Sequence, residues 1–87
     1  MMNSSNLLAR NARKYPHTEA IISMGKRTTY SELNTLVNQL ADALHTEGIF
    51  PGDKVVLFMP NALEFVISYF AVQRIGAIVV PINAKFT

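Results

Sequence analysis

Cysteine is absent from the 87 residues, so the chain has no disulfide framework, no thiolate nucleophile and no cysteine-ligated zinc. That fits a reducing, cytoplasmic setting. Acidic residues are few as well, six against eight Lys and Arg, and the net charge is only +2. The two signs are interspersed, so the basic excess does not form the stripe with which a nucleic-acid binder meets phosphates. No nucleic acid is expected as a partner. The first seventeen residues, MMNSSNLLARNARKYPH, lack the apolar core of a secretory leader. They carry Arg10, Arg13 and Lys14 with no acid before Glu19, a balance shared with mitochondrial transit peptides. Leu8, Ala12 and Tyr15 nevertheless fall on one helical face and Pro16 stops the run, which favours a short docked helix. The sequon Asn3-Ser4-Ser5 carries no weight without secretion.

A membrane-spanning run is missing too. Residues 62–82 are apolar overall, but Arg74 would lie near the bilayer centre at a cost of about 2.5–3.5 kcal/mol. Gln73, Gly76 and Pro81 interrupt the stretch, and residues 65–72 alone are too short to cross. No membrane span is expected.

What is present is the composition of a globular protein, with 49% apolar residues. A chain of this length forms one domain at most and buries roughly 60–65% of its surface on folding. Residues 20–24 (AIISM) and 27–30 (RTTY) are β-prone runs around Gly25-Lys26, and glycine at the first central position predicts a type II′ hairpin. Ser31 is the expected cap of the next helix, with Glu32 opposing the macrodipole. Leu33, Leu36, Val37, Leu40, Ala41 and Leu44 follow helical spacing, while Thr35, Asn38, Gln39, Asp42 and His45 fall on the other face. Gly48 should end this helix in a Schellman motif, with Ile49 folding back on Leu44. Phe50-Pro51-Gly52-Asp53 has the residue order of a type II turn. Residues 54–59 (KVVLFM) then form a continuous apolar run, the mark of a strand covered on both faces.

The junction that follows, MPN, is where an α/β protein commonly binds phosphate, because unpaired N–H groups gather at a helix N-terminus. Asn61 is a good N-cap, however, and Glu64 can return the bond as in a capping box. That carboxylate would repel a phosphate. No glycine opens the backbone and no Lys-Ser/Thr pair follows, so both phosphate-loop fingerprints are missing. The junction turns a corner. The helix over residues 61–75 is apolar on nearly every side, which predicts burial all round. AIVVPI after Gly76 supplies a second apolar strand, so strand, helix and strand form a βαβ unit with parallel strands and a right-handed crossover. The cover such a unit needs exceeds what two helices and a hairpin can supply. The chain is therefore expected to be a piece of something larger, or to associate.

Groups fit for chemistry are sparse. His17 falls in a loop and His45 in a helix's last turn, where a cation suits the dipole. Glu19, Glu32, Asp42, Glu47, Asp53 and Glu64 are scattered over turns, caps and solvent faces, with no pair at metal-ligand or acid/base spacing. None of the Ser or Thr residues sits in a nucleophile elbow. Met24, Met59 and the aromatics are read as core filler.

Three features in order carry a resemblance: the TTYSEL helix entry, the PGD turn before an apolar strand, and GAIVVPIN. Over its whole length the chain resembles the opening of the AMP-forming adenylating enzymes, which include acyl- and aryl-CoA synthetases, luciferases and the adenylation domains of peptide synthetases. Peptide-synthetase domains usually carry Asp where Asn83 stands here; Asn is similar to the acyl- and aryl-CoA ligases. The usual continuation in those ligases, Pro-Arg-Leu-Thr, is replaced by Ala84, Lys85, Phe86 and Thr87. The resemblance implies an α/β fold, with residues 1–87 as the incomplete N-terminal part of an AMP-binding domain. It implies a parent enzyme that uses ATP and Mg to adenylate a carboxylic acid of the fatty type and passes the acyl group to CoA. The family's phosphate loop, adenine site, ribose-binding Asp and catalytic Lys have no matching positions here. No catalytic, cofactor-binding or metal residue is therefore assigned, no cofactor is expected in this chain itself, and the isolated chain is expected to be inactive. The expected partners are the remainder of the parent or a second copy. The alternative is a small stand-alone α/β module that binds a protein through its apolar surface.

Overall fold

The computed structural model describes residues 4–58 and 61–82, in the order α1 (Ser4–Lys14), β1 (Glu19–Ser23), β2 (Lys26–Thr29), α2 (Tyr30–Thr46), β3 (Lys54–Leu57), α3 (Ala62–Arg74) and β4 (Ile78–Pro81). Met59, Pro60 and residues 83–87 lie outside the described residues, and with them two letters of the MPN corner and the segment from Asn83 to the end. β1 and β2 pair antiparallel, and β3 and β4 pair parallel, with α3 as the connection between them. The expected α/β class and βαβ order are both present.

The hairpin turns one residue earlier than its sequence suggests. Ser23 pairs with Lys26, so Met24 and Gly25 are the central residues, at φ 52° and 80°. Two positive φ values define a type I′ turn in place of the expected type II′, and they match the twist of the strands. Placing Met24 in the left-handed region costs about 1–2 kcal/mol.

α2 begins before the expected Ser31. Thr29 is the N-cap: its hydroxyl accepts from Glu32 N–H at 3.1 Å while Glu32 Oε1 accepts from Thr29 N–H at 2.9 Å. The reason is spacing, since Thr29 has an acid three residues on and Ser31 has Asn34 there. The next orphan donors are met from outside the helix. Tyr30 N–H reaches the Thr18 carbonyl at 2.9 Å, and Ser31 N–H reaches that of Pro16 at 3.1 Å. At the other end, Ile49 N–H bonds the Leu44 carbonyl and Gly48 N–H that of His45, both at 3.1 Å. With Gly48 at φ 93°, this is the expected Schellman motif.

Leu8 of α1, Leu33, Val37 and Ala41 of α2 and Ala71 of α3 form the core between the helices. Each fully buried Leu or Val contributes about 1.5–3 kcal/mol. Tyr15 does not join them. It lies beyond the last residue of α1 and is exposed, and the inner face of that helix is made by Ser5 and Leu8 instead.

α3 departs from the expectation of burial all round. Ser68, Ala71 and Val72 are buried, whereas Phe65, Val66, Ile67, Tyr69 and Phe70 are only half covered. Its last turn carries the link between the helices. Arg74 donates to Asn38 Oδ1 on α2 and to the Ser5 carbonyl on α1, both at 2.7 Å. Burial pulls this guanidinium below its ordinary pKa, yet arginine keeps its charge in proteins. Asn38, assigned by periodicity to the solvent face, is thus an anchor.

Hydrogen bonds to a charged donor are worth about 1.5–3 kcal/mol when partly shielded. Arg74→Ala should accordingly lower the unfolding free energy by about 2–3 kcal/mol and Asn38→Ala by about 1 kcal/mol. Arg74→Lys should recover less than half of the loss, because an ammonium lacks the planar fork that reaches two acceptors. Urea unfolding followed by circular dichroism measures all three; a lysine variant as stable as the parent would show that charge alone suffices.

Candidate functional site

The second half of the chain is organised by the turn before β3. Phe50-Pro51-Gly52-Asp53 is the expected type II turn: Asp53 N–H bonds the Phe50 carbonyl at 3.0 Å and Gly52 has φ 89°. Asp53 Oδ2 accepts from Phe50 N–H at 2.8 Å, which closes the turn from the side-chain end. The turn then docks on the end of α3. Gly52 N–H meets the Gly76 carbonyl at 3.0 Å, and Ile78 N–H meets that of Asp53 at 2.7 Å. A β-carbon on Gly76 would stand 3.3 Å from Pro51 Cβ, and Gly76 has φ 80°. Glycine satisfies both demands. Ala77 N–H to Val72 O and Gly76 N–H to Gln73 O make this helix end a second Schellman motif.

The result is a fixed register, with Lys54 opposite Ile78, Val55 opposite Val79, Val56 opposite Val80 and Leu57 opposite Pro81. Alternation sends Leu57 into the protein, where it is buried. Val56 and Phe58 from one strand and Ile78, Val80 and Ile82 from the other remain 37–58% exposed. They form one uncovered apolar face. Among the described residues each strand also has an edge without a strand neighbour.

Several polar groups are occupied by local structure, while the buried Thr28 hydroxyl and Asn34 Oδ1 have no hydrogen-bond partner among the described residues. Asn61 Oδ1 accepts from Glu64 N–H at 3.2 Å, capping α3. This is the first half of the expected exchange; the complete reciprocal box is the one at Thr29 and Glu32. Asn61 Nδ2 donates to Met24 Sδ at 3.8 Å. Met24 is therefore at a hairpin tip and not core filler. Glu19 is paired with Arg27 at 2.7 Å on the hairpin surface. His45 lies edge-on to Phe50 at 6.1 Å, and His17 is exposed in the turn after α1. Among the described residues, no group of three His, Asp or Glu side chains could hold a metal ion. A hollow of about 360 Å³ opens between α1, the hairpin and α3, lined by Leu7, Leu8, Ile21, Leu33, Val66 and Phe70 with Asn11 and Tyr30. It holds no charged side chain, so it can take an apolar group but has nothing to polarise one. No helix among the described residues is long and apolar enough to cross a membrane.

A hairpin and two helices feeding a parallel βαβ unit, with Glu32, Asp53 and Asn61 engaged in caps and a turn, make a scaffold of the adenylate-forming type. The chain belongs to the AMP-binding enzyme family, whose model matches residues 8–87. It is 38% identical over 98% of its length to the long-chain-fatty-acid–CoA ligase FadD13 of Mycobacterium tuberculosis. It is 45% identical over 82% of its length to the crotonobetaine/carnitine–CoA ligase of Escherichia coli. The chain spans about one sixth of these relatives, 17% and 15% respectively. In structure it is similar to the inhibitor-bound N-terminal domain of FACL13 from Mycobacterium tuberculosis, with TM-score 0.92 and 36% identity over 99% of this chain and 22% of that one. The N-terminal subdomain of NpsA from Klebsiella oxytoca gives TM-score 0.93 at 25% identity, over 100% of this chain and 23% of that one.

The fold lowers the pKa of Glu32. The Thr29 backbone N–H lowers its pKa most and the Thr29 hydroxyl next; slight desolvation opposes them, and Lys26 adds the smallest attraction. A depressed folded-state pKa means that the contribution is full above about pH 5 and is lost as pH falls through the folded value. Glu32→Gln keeps an acceptor for the Thr29 N–H without the titration. Helicity followed from pH 6 to pH 2 should therefore fall less steeply in Glu32→Gln; superimposable acid limbs would remove Glu32 as the cause.

Proposed function

We propose that these 87 residues are the opening structural segment of an acyl-CoA synthetase whose full-length form activates a carboxylic acid of the fatty type in a cytoplasmic setting. In that reaction the carboxylate attacks the α-phosphorus of Mg-ATP, giving acyl-AMP and pyrophosphate. The thiol of CoA then takes the acyl group and releases AMP. ATP, Mg and CoA would be held by the remainder of the enzyme, and the present residues contribute no catalytic group. Their work is architectural: they place β3 and β4 in register and present an apolar face for the remainder to cover.

The observation that carries this reading is the uncovered face of the β3–β4 pair, on a chain similar over nearly all its length to about one sixth of a much longer ligase. Similarity to a fatty-acid ligase over nearly all the chain supports the class of acid. Acid-dependent ATP–pyrophosphate exchange tests the proposal. The full-length product of the gene should catalyse exchange with a fatty acid and form the CoA thioester, and the 87-residue chain should give background. Exchange by the short chain would overturn its structural role. A full-length product inert with every carboxylic acid would overturn the ligase reading.

The same face predicts the behaviour of the chain alone. Burying apolar surface stabilises by about 25 cal/mol per Å², so an uncovered patch of a few hundred Å² favours self-association by several kcal/mol before association entropy is subtracted. Open parallel edges add to the tendency. Light scattering at micromolar concentration should find oligomers or aggregates of the 87-residue chain. Val56→Lys with Val80→Lys should shift the distribution toward monomer. A monodisperse parent chain with cooperative unfolding would favour a self-sufficient interaction module.

A further inference from the structure

Among the described residues, Met24 is the non-glycine residue in the left-handed region, at φ 52°, and it is 92% exposed. A type I′ turn is ordinarily opened by Asn, Asp or Gly. A methionine here gains no burial in return for its backbone conformation. What it does gain is one directed contact. Asn61 Nδ2 donates to its sulfur at 3.8 Å, joining the hairpin tip to a residue 37 positions away. The Oδ1 of the same amide caps α3. A thioether is a weak acceptor, so as it stands the tether is slight. Oxidation changes that, because a sulfoxide carries a strong oxygen acceptor on the atom that already faces the donor.

We propose that Met24 is a site of reversible oxidation by peroxides, and that its sulfoxide oxygen accepts from Asn61 Nδ2, turning a weak contact between the hairpin tip and the N-terminus of α3 into a strong one. The sulfur lone pair attacks one peroxide oxygen. An S–O bond forms, the O–O bond breaks, and hydrogen peroxide leaves as water. Sulfur loses two electrons and the peroxide gains them. Two thiols of a methionine sulfoxide reductase system reverse the step, becoming a disulfide and releasing the oxygen as water. Exposure admits the oxidant and the reductase alike, and leaves the free end of the side chain able to turn as the added oxygen requires.

The test treats the chain carrying Val56→Lys and Val80→Lys, the form expected to be monomeric, with hydrogen peroxide and locates the added oxygen by peptide mass spectrometry. Met24 should oxidise within about twofold of the rate of a free methionine peptide, as its exposure demands. Oxidation should move the Asn61 side-chain amide protons downfield in a ¹⁵N-resolved spectrum and raise Tm by roughly 2–4 °C. Met24→Leu, treated identically, should show neither change, which separates the effect from Met1, Met2 and Met59. Asn61→Asp keeps a capping oxygen but removes the donor, so its Met24 should oxidise at the same rate with no rise in Tm. A Met24 oxidised tenfold more slowly than the free peptide would overturn the site. Unmoved Asn61 amide protons, an unchanged or lowered Tm, or an equal rise in Asn61→Asp would overturn the tether.

Discussion

The structure hinges on the last turn of α3, where Arg74 reaches an amide oxygen on α2 and a backbone carbonyl on α1. Three helices meet at one cation, and the geometry suits its chemistry. A guanidinium presents several donors in one plane and is only weakly hydrated, so it can satisfy two acceptors on different elements while partly shielded from water. The position at a helix C-terminus also sets the positive charge against the negative end of the dipole. The same residue makes a membrane reading of residues 62–82 unfavourable. A charge that would be costly in lipid becomes a clamp once two other helices supply oxygen atoms.

Two residues beyond Arg74, Gly76 performs the complementary task on the sheet side. Pro51 packs where a side chain on Gly76 would stand, and the two backbones exchange bonds through Gly52 and Asp53. The end of α3 thereby fixes both the helical layer and the start of the parallel pair. A parallel register slipped by one residue would exchange the two faces of a strand. Leu57 would then leave the core and Val56 would enter it. The PGD turn and the glycine after α3 are thus parts of one joint, although 24 positions separate Gly52 from Gly76.

Features decided by neighbouring residues could be read from the sequence. The stripe of α2, the glycine stop and its Schellman bonds, the type II turn and the Asn61 cap all depend on residues within a few positions of one another, and all were expected. What the sequence concealed were choices between nearly equivalent local options. Thr29 and Ser31 are both fair caps, and only the acid three residues after Thr29 separates them. That signal was available in T-x-x-E. The hairpin tip was concealed differently: Met24 is a poor residue for a type I′ turn, so propensity pointed one residue along and strand pairing overrode it. Arg74, Asn38 and Ser5 were beyond reach altogether, because their meeting depends on where three helices cross. The half-covered state of α3 has the same origin. Periodicity reports how much of a helix is apolar, and cannot report how much of that surface these 87 residues cover.

The two sides of the protein differ in how far they are tied down. On the helical side, the orphan donors of α2 are met by loop carbonyls, the ends of α2 and α3 close in Schellman motifs, and Arg74 ties the layer together. On the sheet side, Val56, Phe58, Ile78, Val80 and Ile82 are exposed, with no layer above them among the described residues. A module that folded for its own sake gains by covering a parallel pair on both faces, because parallel sheets occur almost only where both are covered. An interaction module would leave a patch bare, but it has no need to expose strand edges as well, which invite pairing with any passing chain. An exposed face next to open parallel edges fits continuation of the same sheet, with further strands beside β3 and β4 and a second layer over Val56 and Val80. The proposed role accounts for both features by one cause. It also agrees with the use of Glu32, Asp53 and Asn61 in caps and a turn, where they hold local architecture.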